Sequence, residues 1–284
     1  MKNRIDLKNF NIRTDLIIDE KIENKAFKKE RINDNLQVTR IEVTKDLKNI
    51  LNKKEGYYTT LEFEDITNFE DRQEIEKQLV IEIEKMMKKI GIDNQAECMV
   101  VGLGNKESTA DALGPVVLEK VLVTRHLFLL NALVKDGIRC VSAISPGVMA
   151  NTGMETSDII LSLISKIKPQ FLLVIDALAS SSIERINKTI QLTNTGIHPG
   201  SGIGNNRREI SQDTIGIPVI AIGVPTVVES SILVNDTIDY LFKHLSYVKK
   251  HFDENKLIFS RNTKNYLQAI QNEDLTNQEK QEVI

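Results

Sequence analysis

The stretch "CMVVGLGN" (98–105) decides the fold of this chain. It is a continuous apolar run ending in glycines, the pattern of a central strand covered on both faces rather than one. Runs of similar character follow at "RCVSAIS" (139–145), "FLLVIDAL" (171–178) and "IPVIAIGVP" (217–225), with a shorter strand at "TIQLTN" (189–194). Helical patterns lie between them. "GPVVLEKVLVTRHLFLL" (114–130) reads as one helix with Pro115 in its first turn. In "ETSDIILSLISKIK" (155–168), Ile159, Ile160, Leu163, Ile164 and Ile167 share a face, and the helix stops before Pro169 because the residue preceding proline disfavours the helical region. A last helix is expected near 229–246. Alternating buried strands and amphipathic helices predict an α/β three-layer sandwich whose central sheet is largely parallel.

Upstream of this core, "LQVTRIEVT" (36–44) and "YYTTLEF" (57–63) alternate as strands do, with Gly56 punctuating the loop between them. The segment 70–90 places apolar residues at 75, 79, 83, 86, 87 and 90, one helical face, and Gly91 is suited to end it. Residues 1–35 are rich in Lys, Asn, Asp and Glu and read as an N-terminal extension with weak local structure, lying on the surface rather than in the core. The polar stretch 262–284 is helix-compatible and peripheral.

The bulk properties exclude several classes. The 284 residues carry 41% hydrophobic and 27% charged side chains, ordinary for a globular chain, with no tract of about 18 apolar residues that could span a bilayer. A net charge of −3 gives no basic field for sequence-independent nucleic-acid binding. Cys98 and Cys140 sit singly in apolar runs, as reduced core residues of a cytoplasmic protein. "MKNRIDLKNF" is not followed by the apolar stretch of a secretory signal.

In open α/β sheets the ligand crevice lies outside the carboxyl ends of the strands. The strand at 98–103 opens into "GLGNKESTADALGP", which carries Asp111, and the strand at 171–175 ends on Asp176. Two carboxylates are thus delivered to one sheet edge, where one can keep a proton while the other acts as base. The structural alternative is that Asp111 caps the helix near 114 and Asp176 a following turn. The glycines of "GLGN" do not complete a dinucleotide fingerprint, because Glu107 stands where the third glycine belongs; they mark a place where backbone passes close to something. "GIHPGSGIGNNRR" (196–208) brings His198, Ser201, Arg207 and Arg208 on a glycine-rich loop; an Arg pair suits a carboxylate or phosphate, or is simply a solvated surface pair. No G-x-S-x-G elbow surrounds Ser201 and no H-E-x-x-H spacing occurs. "SPGVMANTGMETSD" (145–158) is placed to form a crevice wall.

The blocks "MVVGLGNKESTADALGP", "LVTRHLF", "VSAISPGVMANTGMETSDII", "LLVIDALASSSIERI", "IQLTNTGIHPGSGIGNNRREIS" and "GIPVIAIGVPTVV" resemble the germination protease of spore-forming bacteria across about residues 5–265. The resemblance implies an atypical aspartic endopeptidase without the D-[ST]-G signature, with its two essential aspartates at Asp111 and Asp176. It implies a phosphorylase/hydrolase-like α/β fold shared with hydrogenase maturation endopeptidases, no cofactor, a homotetramer, and small acid-soluble spore proteins of the forespore and spore core as substrates. Members are made as zymogens that remove their own amino-terminal segment, and those from other spore formers continue past the position matching Ile284. His198, Arg207 or Arg208 is the candidate to bind the acidic side chain before the scissile bond. Two other readings remain open at this point: a metal-dependent hydrolase with Asp111, Asp176 and His198 as ligands, and a module that binds spore proteins without cutting them.

One short stretch gains meaning from the resemblance. The family cuts its substrates within a motif of the form Thr-Glu-apolar-small-x-Glu, and "TDLIID" (14–19) has the same layout of acid, apolar centre and acid, with the bulky Ile17 at the small position. Self-cleavage is expected between Asp15 and Leu16. Residues 1–15 are then the pro-segment, 16–260 the single catalytic domain and 261–284 a peripheral helical tail.

Overall fold

The computed structural model describes residues 14–19, 26–130, 134–200, 207–234, 236–238 and 240–241. The chain separates into two compact units, Arg13–Val228, and Met1–Ile12 with Glu229–Ile284. In the second unit the described positions between 230 and 241 are helical, as expected there, and the tail at 261–284 lies outside the described residues.

The first unit carries a sheet of eight strands among its described residues. In chain order its elements are β1 (Lys28–Arg31), β2 (Leu36–Val43), α1 (Lys45–Leu51), β3 (Gly56–Phe63), α2 (Phe69–Lys89), β4 (Cys98–Gly102), α3 (Leu113–Leu118), α4 (Arg125–Leu129), β5 (Val141–Ile144), α5 (Met149–Thr152), α6 (Thr156–Ile167), β6 (Phe171–Ser180), β7 (Thr189–Thr193), α7 (Gln212–Ile215) and β8 (Val219–Val228). The spatial order is β1-β2-β3-β7-β8-β6-β4-β5. The four strands β5, β4, β6 and β8 are parallel, as the apolar runs predict; β7, β3, β2 and β1 continue the sheet antiparallel. The fold is α/β, with parallel pairing confined to one half.

Burial on both faces is what makes β4 continuously apolar. Cys98 and Val100 pack with Ile75, Met86 and Met87 of α2 on one side, while Met99 and Val101 meet Ile160 of α6 on the other. The same period of two runs through β6, where Phe171 and Ile175 face α2 and Leu172 and Val174 face α6. On β2, Leu36 and Val38 join the α2 side, and Arg40 reaches from that side to the buried Glu82 of α2 with two hydrogen bonds of 2.8 and 2.7 Å.

Three expectations need correction. The span 114–130 is not one helix: α3 ends at Leu118, and Thr124 exchanges hydrogen bonds with β5 through its amide (to Val141 O, 3.0 Å) and hydroxyl (from Val141 N, 2.9 Å), which takes the intervening residues out of helical geometry. The extension contains a strand, β1, whose four residues are exposed and are held by backbone pairing to β2. Within the same extension, Leu16 and Ile17 are fully buried, and Ile17 packs with Ile41, Val43, Leu51 and Tyr58 on the sheet face opposite α2. This part of the extension is core, not surface.

Candidate active site

Asp176 is the sixth residue of β6 and lies on the face of Leu172 and Val174. Only 5% exposed, its Oδ1 accepts from the Ala177 amide at 2.9 Å. Burial, reinforced by the charges of Asp111 and Asp15, holds its carboxyl well above the ordinary carboxylate range, against the pull of the Ala177 amide and the Arg207 guanidinium.

Asp111 ends a single 3-10 turn, Thr109–Asp111, in the loop leaving β4. Backbone packing fixes this turn. The Asn105 amide donates to Asp111 O at 3.0 Å, and the Thr226 hydroxyl of β8 donates to Ala110 O at 2.6 Å. The glycines of the loop are required by close approach. A Cβ on Gly102 would lie 2.4 Å from Gly114 O, and one on Gly114 would lie 2.2 Å from Leu103 O, so the start of α3 sits directly on the end of β4. The half-buried Asp111 carboxyl is also raised, by desolvation first, with the Asn105 amide and Arg207 opposing. It is no cap: α3 begins after Ala112 without a side-chain cap bond.

The two aspartates line both of a pair of adjoining cavities. The smaller, about 60 Å³, is closed by Gly147, Val148 and Thr156 from the 145–158 stretch and by Pro199, Gly200 and Arg207 from the glycine-rich loop. The larger, about 220 Å³, adds Asp15, Ala179, His198 and Thr226. Of the neighbouring arginines only Arg207 faces the aspartates; Arg208 forms an exposed ion pair with Asp158 at 2.6 Å. His198 lies 3.6 Å from Glu209, which Lys54 also holds at 2.6 Å. Among the described residues no group of three or more His, Cys, Asp or Glu is placed to hold a metal ion.

Asp15 brings the segment Thr14–Asp19 to the edge of this site, and the segment is bonded to β6 and β7. The Asp15 amide donates to Ala179 O at 3.0 Å and the Ala179 amide donates back to Asp15 Oδ2 at 2.8 Å. The fully buried Asp19 carboxylate is held by the Ser181 amide at 2.6 Å, by the hydroxyls of Ser180 and Thr14, and by Arg185. Lys53 donates to Thr14 O at 2.9 Å, and Gln191 bonds the backbone on both sides of Leu16. The acid, apolar centre and acid of the sequence are therefore each built into a separate set of contacts. Lys53, Ala179, Arg185 and Gln191 carry no pattern that sequence reasoning could use, save that Gln191 is a polar residue amid a buried strand.

A family model described as germination protease matches residues 9–284. The chain belongs to the germination protease family. This protease is 46% identical over 268 residues to the germination protease of Bacillus cytotoxicus, covering 89% of this chain and 73% of that one. Its identity to a Bacillus cereus germination protease is 47% over 258 residues, with 86% and 70% covered. Among solved structures it is similar to the NiFe hydrogenase maturation protease HycI of Thermococcus kodakarensis KOD1, at 14% identity and a TM-score of 0.29 over 55% of this chain and 94% of that one. Among the described residues no helix is long and apolar enough to cross a membrane.

Proposed function

We propose that this protease is an aspartic-type endopeptidase that begins the degradation of small acid-soluble spore proteins at germination, acting as a homotetramer in the forespore and spore core, and made as a zymogen that cuts itself between Asp15 and Leu16. The observation that carries the proposal is that Asp111 and Asp176 line one cavity with Asp15, Asp111 from the loop leaving β4 and Asp176 from the β6 position next after the last one paired with β4. Both carboxyls are raised, by burial first, so the two titrate as a pair and one can stay protonated while the other is ionised. One of the two takes a proton from the attacking water while the other protonates the leaving nitrogen. The acidic side chain before the scissile bond is bound by the Ala179 amide, as Asp15 is, with Arg207 and His198 at the cavity wall.

The test is the separate replacement of Asp111→Asn and Asp176→Asn, assayed on a peptide carrying the spore-protein cleavage motif. Each is expected to lose about a hundredfold or more of kcat, the size of a general acid–base contribution. Full activity in either variant refutes the pair.

A further inference from the structure

Gln191, Gly223 and Asp176 form one row across three adjacent strands: Gln191 of β7 stands opposite Gly223 of β8, and Gly223 opposite Asp176 of β6. Residues in one row point to the same face, so the Gln191 and Asp176 side chains rise on the same side, about 10 Å apart at their Cα atoms, two strand spacings. Gly223 puts nothing between them but the space Leu178 fills; a Cβ there would lie 2.4 Å from Leu178 Cγ. The segment 15–17 spans from Ala179 of β6 to Gln191 at one end of this row.

The buried Gln191 carboxamide grips that segment at two points. Its Nε2 donates to Asp15 O at 3.1 Å, and its Oε1 accepts from the Ile17 amide at 2.7 Å. The pairing fixes the carboxamide's orientation, since a flipped group would set its NH₂ against the Ile17 N–H. Asp15 O is the carbonyl oxygen of the Asp15–Leu16 peptide. We infer that Gln191 is the carbonyl-binding residue of self-cleavage, its N–H polarising the Asp15 carbonyl and stabilising the oxyanion that forms there. The inference rests on the cut between Asp15 and Leu16 proposed above.

The step balances with water alone. The water oxygen bonds to the Asp15 carbonyl carbon and one of its protons passes to the basic carboxylate of the Asp111–Asp176 pair. The carbonyl electron pair moves onto the oxygen held by Gln191. Collapse breaks the bond to the Leu16 nitrogen, which takes the proton of the other carboxyl. A buried, preorganised donor is effective here because no solvent must reorient as the charge develops, and removing one such donor costs roughly 10²–10³-fold in rate.

The experiment follows the intact mass of the full chain during mild acidification, for wild type, Gln191→Ala, Gln191→Glu and Asp176→Asn. Wild type is expected to lose residues 1–15, and Gln191→Ala to do so roughly 10²–10³-fold more slowly. Gln191→Glu keeps the acceptor for the Ile17 amide but donates only when protonated, so its rate relative to wild type should climb as pH falls. Asp111 and Asp176 titrate in both proteins, which is why the ratio is the readout. Cleavage of Gln191→Ala at the wild-type rate, or a Gln191→Glu ratio flat with pH, overturns the inference; should Gln191→Ala not fold, the Gln191→Glu ratio decides. If wild type is not shortened at Asp15–Leu16, the processing site falls together with Gln191. If wild type is cut there, Asp176→Asn is not, and the Gln191 variants keep pace, only Gln191 falls and the aspartate pair stands.

Discussion

Gly104→Ala should disable the site without touching a carboxylate. Gly104 has φ +109°, and a Cβ built on it would stand 2.0 Å from Asp111 O and 2.9 Å from Asp111 Oδ1. Ordinary contact begins near 3.4 Å, so the Asp111 turn must retreat by about 1.4 Å. A misplacement of about 1 Å in a catalytic group costs roughly 10²-fold. The positive φ adds about 1–3 kcal/mol of strain, and loss of the Asn105 N–H to Asp111 O bond about 1 kcal/mol more. We expect kcat/KM on a spore-protein peptide to fall by about 10²-fold or more, and the urea midpoint to report a loss of about 2–4 kcal/mol. Gly216→Ala is the control: its φ is +85° but nothing lies within 4 Å, so it should lose stability through strain alone and keep its activity. Wild-type kcat/KM in Gly104→Ala would refute the claim that this glycine holds Asp111 in place.

Two further outcomes follow from the buried carboxylates. Because the Asp176 carboxyl is raised in the folded protein, its contribution to stability is full below the ordinary carboxylate range and is lost as pH rises through the folded value. Asp176→Asn should therefore melt above wild type at neutral pH, with the gap closing as pH drops through the carboxylate range; a lower melting temperature at pH 7 would contradict the burial argument. Asp19→Ala strands the Ser181 amide and removes the main partner of Arg185, and should cost about 3 kcal/mol by chemical denaturation. A loss under about 1 kcal/mol, the net worth of an ordinary hydrogen bond, would mean that the Asp19 contacts do not anchor the segment.

The parallel half of the sheet is legible in the sequence because burial on both faces forces unbroken apolar runs, and β4 and β6 are read from them directly. β1 is not, since Lys28–Arg31 are all exposed and only pairing with β2 makes them a strand. The break after Leu118 depends on Thr124 meeting β5, a contact between distant residues that periodicity along one helix does not encode. At the site, the strand-end rule singles out Asp111 and Asp176 and the acid–apolar–acid layout singles out Asp15, and the three line one cavity, although β6 runs on to Ser180 instead of ending at Asp176 as expected. Arg207 and Arg208 could not be told apart, because neighbours in an extended stretch point to opposite sides. Gln191 stands out in the sequence only as a polar residue amid a buried strand, since its meaning lies in a row of three residues drawn from three strands.

The threading of the sheet also sets a timetable. β7 joins β3 to β8, and β8 joins β7 to β6, so the antiparallel and parallel halves meet only through strands made last. Thr14–Asp19 is among the first parts of this unit to leave the ribosome, yet its partners Ala179 and Gln191 lie 164 and 176 residues away from Asp15. Contacts so far apart in sequence form late in folding. The site described around Asp15 cannot exist on a growing chain that has not passed Gly223, so a nascent protein cannot be cut there by its own aspartates until β8 has been made.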